Sequence, residues 1–188
     1  YALILLSIVP FMFGMPLNAL LPAFNEDILL GGPDDLGVLL SAMGVGAILG
    51  SLMLAASGDL KHKGTWLVIT CFGWGVATVL FGMAPNLWTA VVVLALVGWL
   101  SSWNMSLNRG LLQVQVVQRM RGRIMSIDMM SHGLMPLGVL PVSMIADAYD
   151  ISTSLIASGA VFVVLIALLV LISTPVRKLD SMMLDVRH

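Results

Sequence analysis

An acid and an imidazole stand four residues apart, at Asp128 and His132, inside an otherwise apolar run. On a helix the two share one face and are neighbours. A carboxylate and an imidazole in that setting can relay a proton. They can equally form a latch, because Asp128 lies only five residues beyond Arg123 and can pair with Arg109 or another nearby base. A second group collects in the apolar run 87–108. Trp99, Trp103 and Ser106 fall at helical spacing on one face, Asn104 and Asn108 adjoin it, and Asn18 lies between two prolines of an earlier run. Asn18, Trp99, Trp103, Asn104 and Asn108 together offer amide donors and aromatic planes to a small-molecule cavity. The competing reading gives each Asn an interhelical hydrogen bond and each Trp a packing or interfacial role.

The elements that must carry these residues follow from composition. The 188 residues are 59% hydrophobic and 10% charged, against roughly a quarter charged in an average soluble domain. A soluble fold cannot hide that much apolar surface. About 20 apolar residues span the hydrocarbon of a bilayer, and six windows qualify: 2–22, 36–57, 65–84, 87–108, 124–146 and 151–173. Asp128 is the one formal charge inside them. The expected architecture is an all-α membrane protein of six transmembrane helices over residues 1–173, with 174–188 a cytoplasmic tail.

Charge along the chain gives the orientation, since basic residues near span ends are retained in the cytoplasm. All 9 Lys and Arg fall on alternate connections. Lys61 and Lys63 follow the second span; Arg109, Arg119, Arg121 and Arg123 separate the fourth and fifth; Arg177, Lys178 and Arg187 follow the sixth. The other connections hold Glu26, Asp27, Asp34, Asp35, Asp147 and Asp150 and no base. Both termini are therefore expected in the cytoplasm, in a multi-pass protein of the cell (inner or plasma) membrane. Asp34 or Asp35, Asn86 and Asp150 stand just before spans, where a side-chain oxygen can cap free backbone donors.

Small residues and prolines mark individual spans. Gly37, Ser41, Gly44, Gly46, Gly50 and Ser57 give the second a smooth surface, with a GxxxG pair at Gly46 and Gly50 that suits close helix packing. Pro10, Pro16 and Pro22 in the first span, and Pro136 and Pro141 in the fifth, remove backbone donors and invite kinks. The single Cys71 sits in an apolar run with no second cysteine, so neither a disulfide nor a zinc site can be drawn, and the expectation is a small packed residue. No cofactor or metal is called for. The charge pattern gives no support to nucleic-acid binding. A serine intramembrane protease would need a Gly-x-Ser-x motif within a span; the SGD at Ser57 is not one, and no enzyme activity is expected.

The segments GDLKHKG, after the second span, and QVVQRMRGRIMS, before the fifth, are placed as in the major facilitator superfamily, which the chain resembles over nearly its whole length. The stretch LLPAFNEDILLGGPDDLGVLLSAMGVGAILGSLMLA looks like helices seven and eight of the branch that includes bacterial siderophore and drug exporters, and RGRIMS followed by PLGVLP looks like the start of helix eleven. The resemblance implies the C-terminal half of a twelve-helix transporter, built as two inverted three-helix repeats. It makes the first and fourth spans cavity-lining and the third and sixth peripheral. It also assigns Asp59, Lys61, Lys63, Arg121 and Arg123 to a cytoplasmic gate loop. The family signature Gly-x-x-x-Asp-Arg-x-Gly-Arg is altered here: Asp59 and Gly64 are five apart, and Lys61 and Lys63 stand where arginines are usual.

The function expected is secondary active transport, in the export direction, of a small amphipathic molecule by alternating access, with proton antiport resting on Asp128, His132 and Arg109. The expected partners are membrane lipid, a small-molecule substrate and an N-terminal six-helix half of the same polypeptide; a chain that opens on Tyr1 within an apolar run reads as a piece of a longer protein. The alternative is a six-helix scaffold, channel or homodimeric transporter without that half.

Overall fold

The structure is a computed structural model, and it describes residues 9, 10, 14, 16–58, 63–115, 126 and 135–172. Six helices account for most of them: α1 (Pro16–Asp27), α2 (Pro33–Ala56), α3 (Lys63–Gly82), α4 (Leu87–Gln115), α5 (Met135–Ala148) and α6 (Ile151–Ile172). Four of these, α2, α3, α4 and α6, are long and apolar enough to cross a membrane. Over the described residues α1 and α5 are shorter, at 12 and 14 residues.

The helix ends have local causes. α2 begins at Pro33, three residues before the expected Leu36, because proline fits the first helical position and Asp35 closes the turn by accepting from the Gly32 backbone N–H at 2.9 Å. Asp35 therefore acts from inside the first turn rather than ahead of it. Asn86 and Asp150 cap from ahead of their helices, each accepting from a backbone N–H three residues on, at Thr89 and Thr153. α2 ends where Gly58 takes a left-handed φ of 62°, the usual conformation just past a helix C-terminus. α1 runs through Pro22 to Asp27, since Phe24 and Asn25 beyond the proline are buried and hold that last turn in place. α4 continues seven residues past the expected limit at Asn108.

Packing is dominated by α2 against α4, α3 against α6 and α3 against α4, with α5 against α6 and α1 against α5, α6 and α2. Glycines permit the two closest crossings. A methyl group at Gly46 would run into the Ala95 carbonyl, and one at Gly98 into the Met43 carbonyl, so α2 and α4 touch backbone to backbone. Likewise a methyl at Gly159 would lie 2.9 Å from both the Gly75 oxygen and the Val79 nitrogen of α3. With little hydrophobic drive between helices in lipid, such close approach is the main source of association.

Contact order along the helices fixes their directions. Gly46 meets Ala95 and Gly50 meets Trp99, so α2 and α4 run the same way, whereas Gly75 meets Val163 and Gly82 meets Ile156, so α3 and α6 run oppositely. Phe24 stacks on Phe81 at 4.5 Å between centroids, bringing the end of α1 to the end of α3. The connections carrying Asp27, Asp34, Asp35 and Asp150 thus share one end of the bundle, and Lys63 and Arg109 lie at the other. Large apolar side chains such as Leu52, Val92, Met144 and Leu171 are exposed around the outside, as lipid contact requires.

Candidate functional site

α4 positions four of the five residues expected to line a cavity, and the structure divides them by face. Trp99 and Trp103, one turn apart, point toward α2. The Trp103 indole nitrogen donates to the Gly50 carbonyl at 2.6 Å, a bond made possible because Gly50 has no side chain to shield that oxygen. Trp99 lies against Gly50 as well: its Cδ1 would be 2.6 Å from a methyl group placed there. The two rings are 5.2 Å apart, and Trp66 of α3 meets Trp103 edge-on at 5.5 Å. Three indoles therefore gather where α2, α3 and α4 converge.

Asn104 turns the other way, into α3. Its amide nitrogen donates to the Cys71 sulfur at 2.8 Å and lies 3.4 Å from the Thr70 hydroxyl, all three groups being buried. The Thr70 hydroxyl in turn donates a hydrogen bond to the Leu67 carbonyl at 2.9 Å. Asn108 is buried one turn further along. Asn18 is half-buried on α1, whose principal neighbours are α6, α5 and α2, so it belongs to a different packing group from the α4 residues. Trp103 and Asn104 thus make the interhelical contacts that were the alternative to cavity lining.

Arg109 is exposed and Lys63 half-buried. The antiparallel register that sets Gly73 beside Leu100 and Cys71 beside Asn104 brings these two cations to the same level at one end of the bundle. Asp59, Lys61, Arg121, Arg123, Asp128 and His132 lie outside the described residues. Among the described residues no cluster of His, Cys, Asp or Glu has the makings of a metal site.

Sequence reasoning missed the partners: Gly50 for Trp103, Cys71 and Thr70 for Asn104, and Trp66 at the edge of the indole group. One signal was present. The pairs Gly46/Gly50 and Trp99/Trp103 share a spacing of four, so on two parallel helices they can face each other in register.

Comparison with known proteins places this bundle. Residues 2–188 match the transmembrane secretion effector family of the major facilitator superfamily. The chain belongs to that family. Among curated relatives, the Staphyloferrin A transporter of Staphylococcus aureus (strain NCTC 8325 / PS 47) is 30% identical over 141 residues, 73% of this chain and 34% of that protein. The Enterobactin exporter EntS of Shigella boydii serotype 18 is 38% identical over 93 residues, 48% of this chain and 22% of that protein. Its counterpart in Escherichia coli O1:K1 / APEC is 38% identical over 92 residues, 47% of this chain and 21% of that protein. The chain thus spans about a third or less of the length of these relatives. As a member of a transporter superfamily with four helices fit to cross a bilayer, it is a multi-pass membrane protein.

Proposed function

We propose that this chain forms the C-terminal six-helix half of a secondary transporter that exports a small amphipathic molecule of the class of staphyloferrin A or enterobactin by alternating access. The observation that carries the reading is the two-sidedness of α2. Its buried residues Leu39, Gly46 and Gly50 face α4, while Gly37, Ser41, Gly44 and Ser51 form an exposed row on the opposite side. Lipid gains little from such a row, and another helix gains a close approach. Ser51 bonds its hydroxyl to the Ala47 carbonyl of its own helix, and Ile48 is the one large side chain on that stripe. An N-terminal half of the same polypeptide is the occupant that the relatives' greater length supports.

The helix contacts also support two inverted three-helix repeats, with α1 and α5 completing the six spans. Exchanging α1, α2, α3 with α4, α5, α6 turns the α2–α4 contact into α5–α1, turns α3–α4 into α6–α1 and returns α3–α6 to itself, and these are present, whereas α5–α6 and α1–α2 have no counterpart of similar extent among the described residues. The segregation of acidic and basic connections supports termini in the cytoplasm of a cell-membrane protein. Proton antiport through Asp128 and His132, with Arg109 as the latch, completes the reading; no enzymatic step is part of it.

The test is to express the native reading frame in inverted membrane vesicles and follow the pH gradient while candidate amphipathic chelators are added. Substrate-induced proton movement by a twelve-span product is the expected result. A native product confined to these six spans, moving nothing, would overturn the proposal in favour of a scaffold, channel or homodimer.

A further inference from the structure

The connection between α1 and α2 holds a leucine in a conformation that suits glycine. Leu30 has a φ of 52°, the one positive value outside glycine among the described residues, and its side chain is 85% exposed. The left-handed region disfavours a side chain roughly tenfold relative to glycine. Neighbouring bonds fix the loop on both sides of it. The Gly31 N–H donates to the Asn25 carbonyl at 2.9 Å, the Asn25 amide donates to the Gly31 and Gly32 carbonyls, and Asp35 accepts from the Gly32 N–H. A glycine at position 30 would make the same turn without strain. Outliers of this kind persist where the rest of the structure over-determines them, and they concentrate at clamps and switch regions.

The surroundings select what the leucine meets. Glu26, Asp27 and Asp34 are exposed and Asp35 is half-buried, all within five residues of Leu30, and residues 16–58 contain no Lys or Arg. An anionic lipid surface repels such a tip. An apolar recess in a protein accepts it. The length of chain that supplies one is seen in the relatives, since this chain covers 34% of the Staphyloferrin A transporter. Because the Asn25 bonds fix the backbone in advance, seating Leu30 orders little beyond its own side chain.

We infer that Leu30 is a plug for the outer mouth: a rigidly presented apolar side chain that seats in an apolar recess of the N-terminal half when the transporter is open to the cytoplasm. This rests on the alternating-access reading, which makes the acidic end of the bundle the outer one, and it names a residue that closes that end. Leu30 is a gating residue and holds no substrate.

The experiment uses the native polypeptide containing this chain, in right-side-out vesicles, with Gly32→Cys as the reporter. Gly32 is exposed, and a side chain there meets nothing within 4 Å. A membrane-impermeant maleimide is added outside, and modification of that cysteine is followed by peptide mass. Leu30→Gly removes the side chain and relaxes the turn, so a change in labelling does not come from misfolding. It should raise the labelling rate about fivefold or more and speed the backward leak of exported substrate. Leu30→Met keeps an apolar side chain and should label at the parent rate. Equal labelling in all three proteins, or equal acceleration in both variants, would overturn the plug. So would a fluorophore at Leu30→Cys that brominated lipid quenches throughout, which would assign the residue to the membrane surface. Transport measured on the same preparation separates the two readings: a polypeptide that transports while labelling ignores residue 30 defeats the plug alone. One that moves no substrate yet shows Leu30-dependent protection supports the plug and defeats the transport reading.

Discussion

Asn104 donates to the sulfur of Cys71 at 2.8 Å across the α3–α4 contact, and neither side chain is exposed. The pair joins residues 33 positions apart. Interhelical polar contacts in bilayers average about 0.6 kcal/mol and rarely exceed about 1.7 kcal/mol. Asn104→Ala should therefore destabilise the bundle by roughly 1–2 kcal/mol, with Cys71→Ala costing less because Thr70 remains as an acceptor. A double-mutant cycle in mixed micelles should give a coupling of about 0.6 kcal/mol. In native membranes, maleimide should modify Cys71 slowly in the wild type and faster in Asn104→Ala. Equal labelling rates would show that the contact does not hold Cys71 in place.

Gly46 and Gly44, two residues apart on α2, should respond oppositely to the same change. Gly46→Leu drives a side chain into the Ala95 carbonyl and should cost about 3 kcal/mol or more, separating α2 from α4. A methyl group at Gly44 would meet nothing within 4 Å, and Gly44→Leu should leave the six-helix bundle as stable as before. In the native polypeptide the Gly44 variant should lose transport, because the row it interrupts is the proposed seat of the other half. Thermal unfolding of both variants, alongside uptake into vesicles, tests the contrast.

The amide nitrogen of Asn25 donates to the carbonyls of Gly31 and Gly32 at 3.2 and 3.0 Å, clasping the end of α1 to the start of α2. Asn25→Ala leaves both carbonyls without that donor and should cost about 1–3 kcal/mol. Asn25→Asp should be worse at neutral pH, since it also buries a carboxylate beside Asp35. Burial and that neighbour raise the pKa of the introduced acid, so its cost should shrink as pH falls and the acid protonates. A melting series from pH 8 to about 4.5 checks the sign: the gap between the Asp and Ala variants should narrow toward acid.

Asp128→Asn with His132→Ala should abolish substrate movement driven by a pH gradient while leaving substrate binding to the purified transporter intact. Unchanged pH-driven transport in the double variant would remove proton coupling from the proposed function.

The apolar runs revealed α3 and α6 within about two residues at each end, because a bilayer demands a minimum apolar length and these spans contain little else. The same signal stopped α4 at Asn108, since Arg109, Gln113 and Gln115 are polar; hydropathy reports the thickness crossed, while the helix continues to Gln115. The GxxxG pair of α2 was legible as a packing surface. Its counterpart Gly98 was not, because nothing local says which two helices cross. The same is true of the α4 site. Trp103 and Asn104 are adjacent in sequence and were read together, but the 100° between successive helical positions sends one to Gly50 and the other to Cys71.

At 29 residues α4 is about 43 Å long, well beyond the roughly 30 Å of hydrocarbon. Its surplus lies at the end carrying Arg109. From the pivot at Gly98 to Gln115 the arm is roughly 26 Å, so a tilt of about 10° at the glycine crossing swings the tip by about 4 Å. Small angular adjustments deep in the bilayer are thereby magnified into displacements large enough for aqueous charges to make or break a contact.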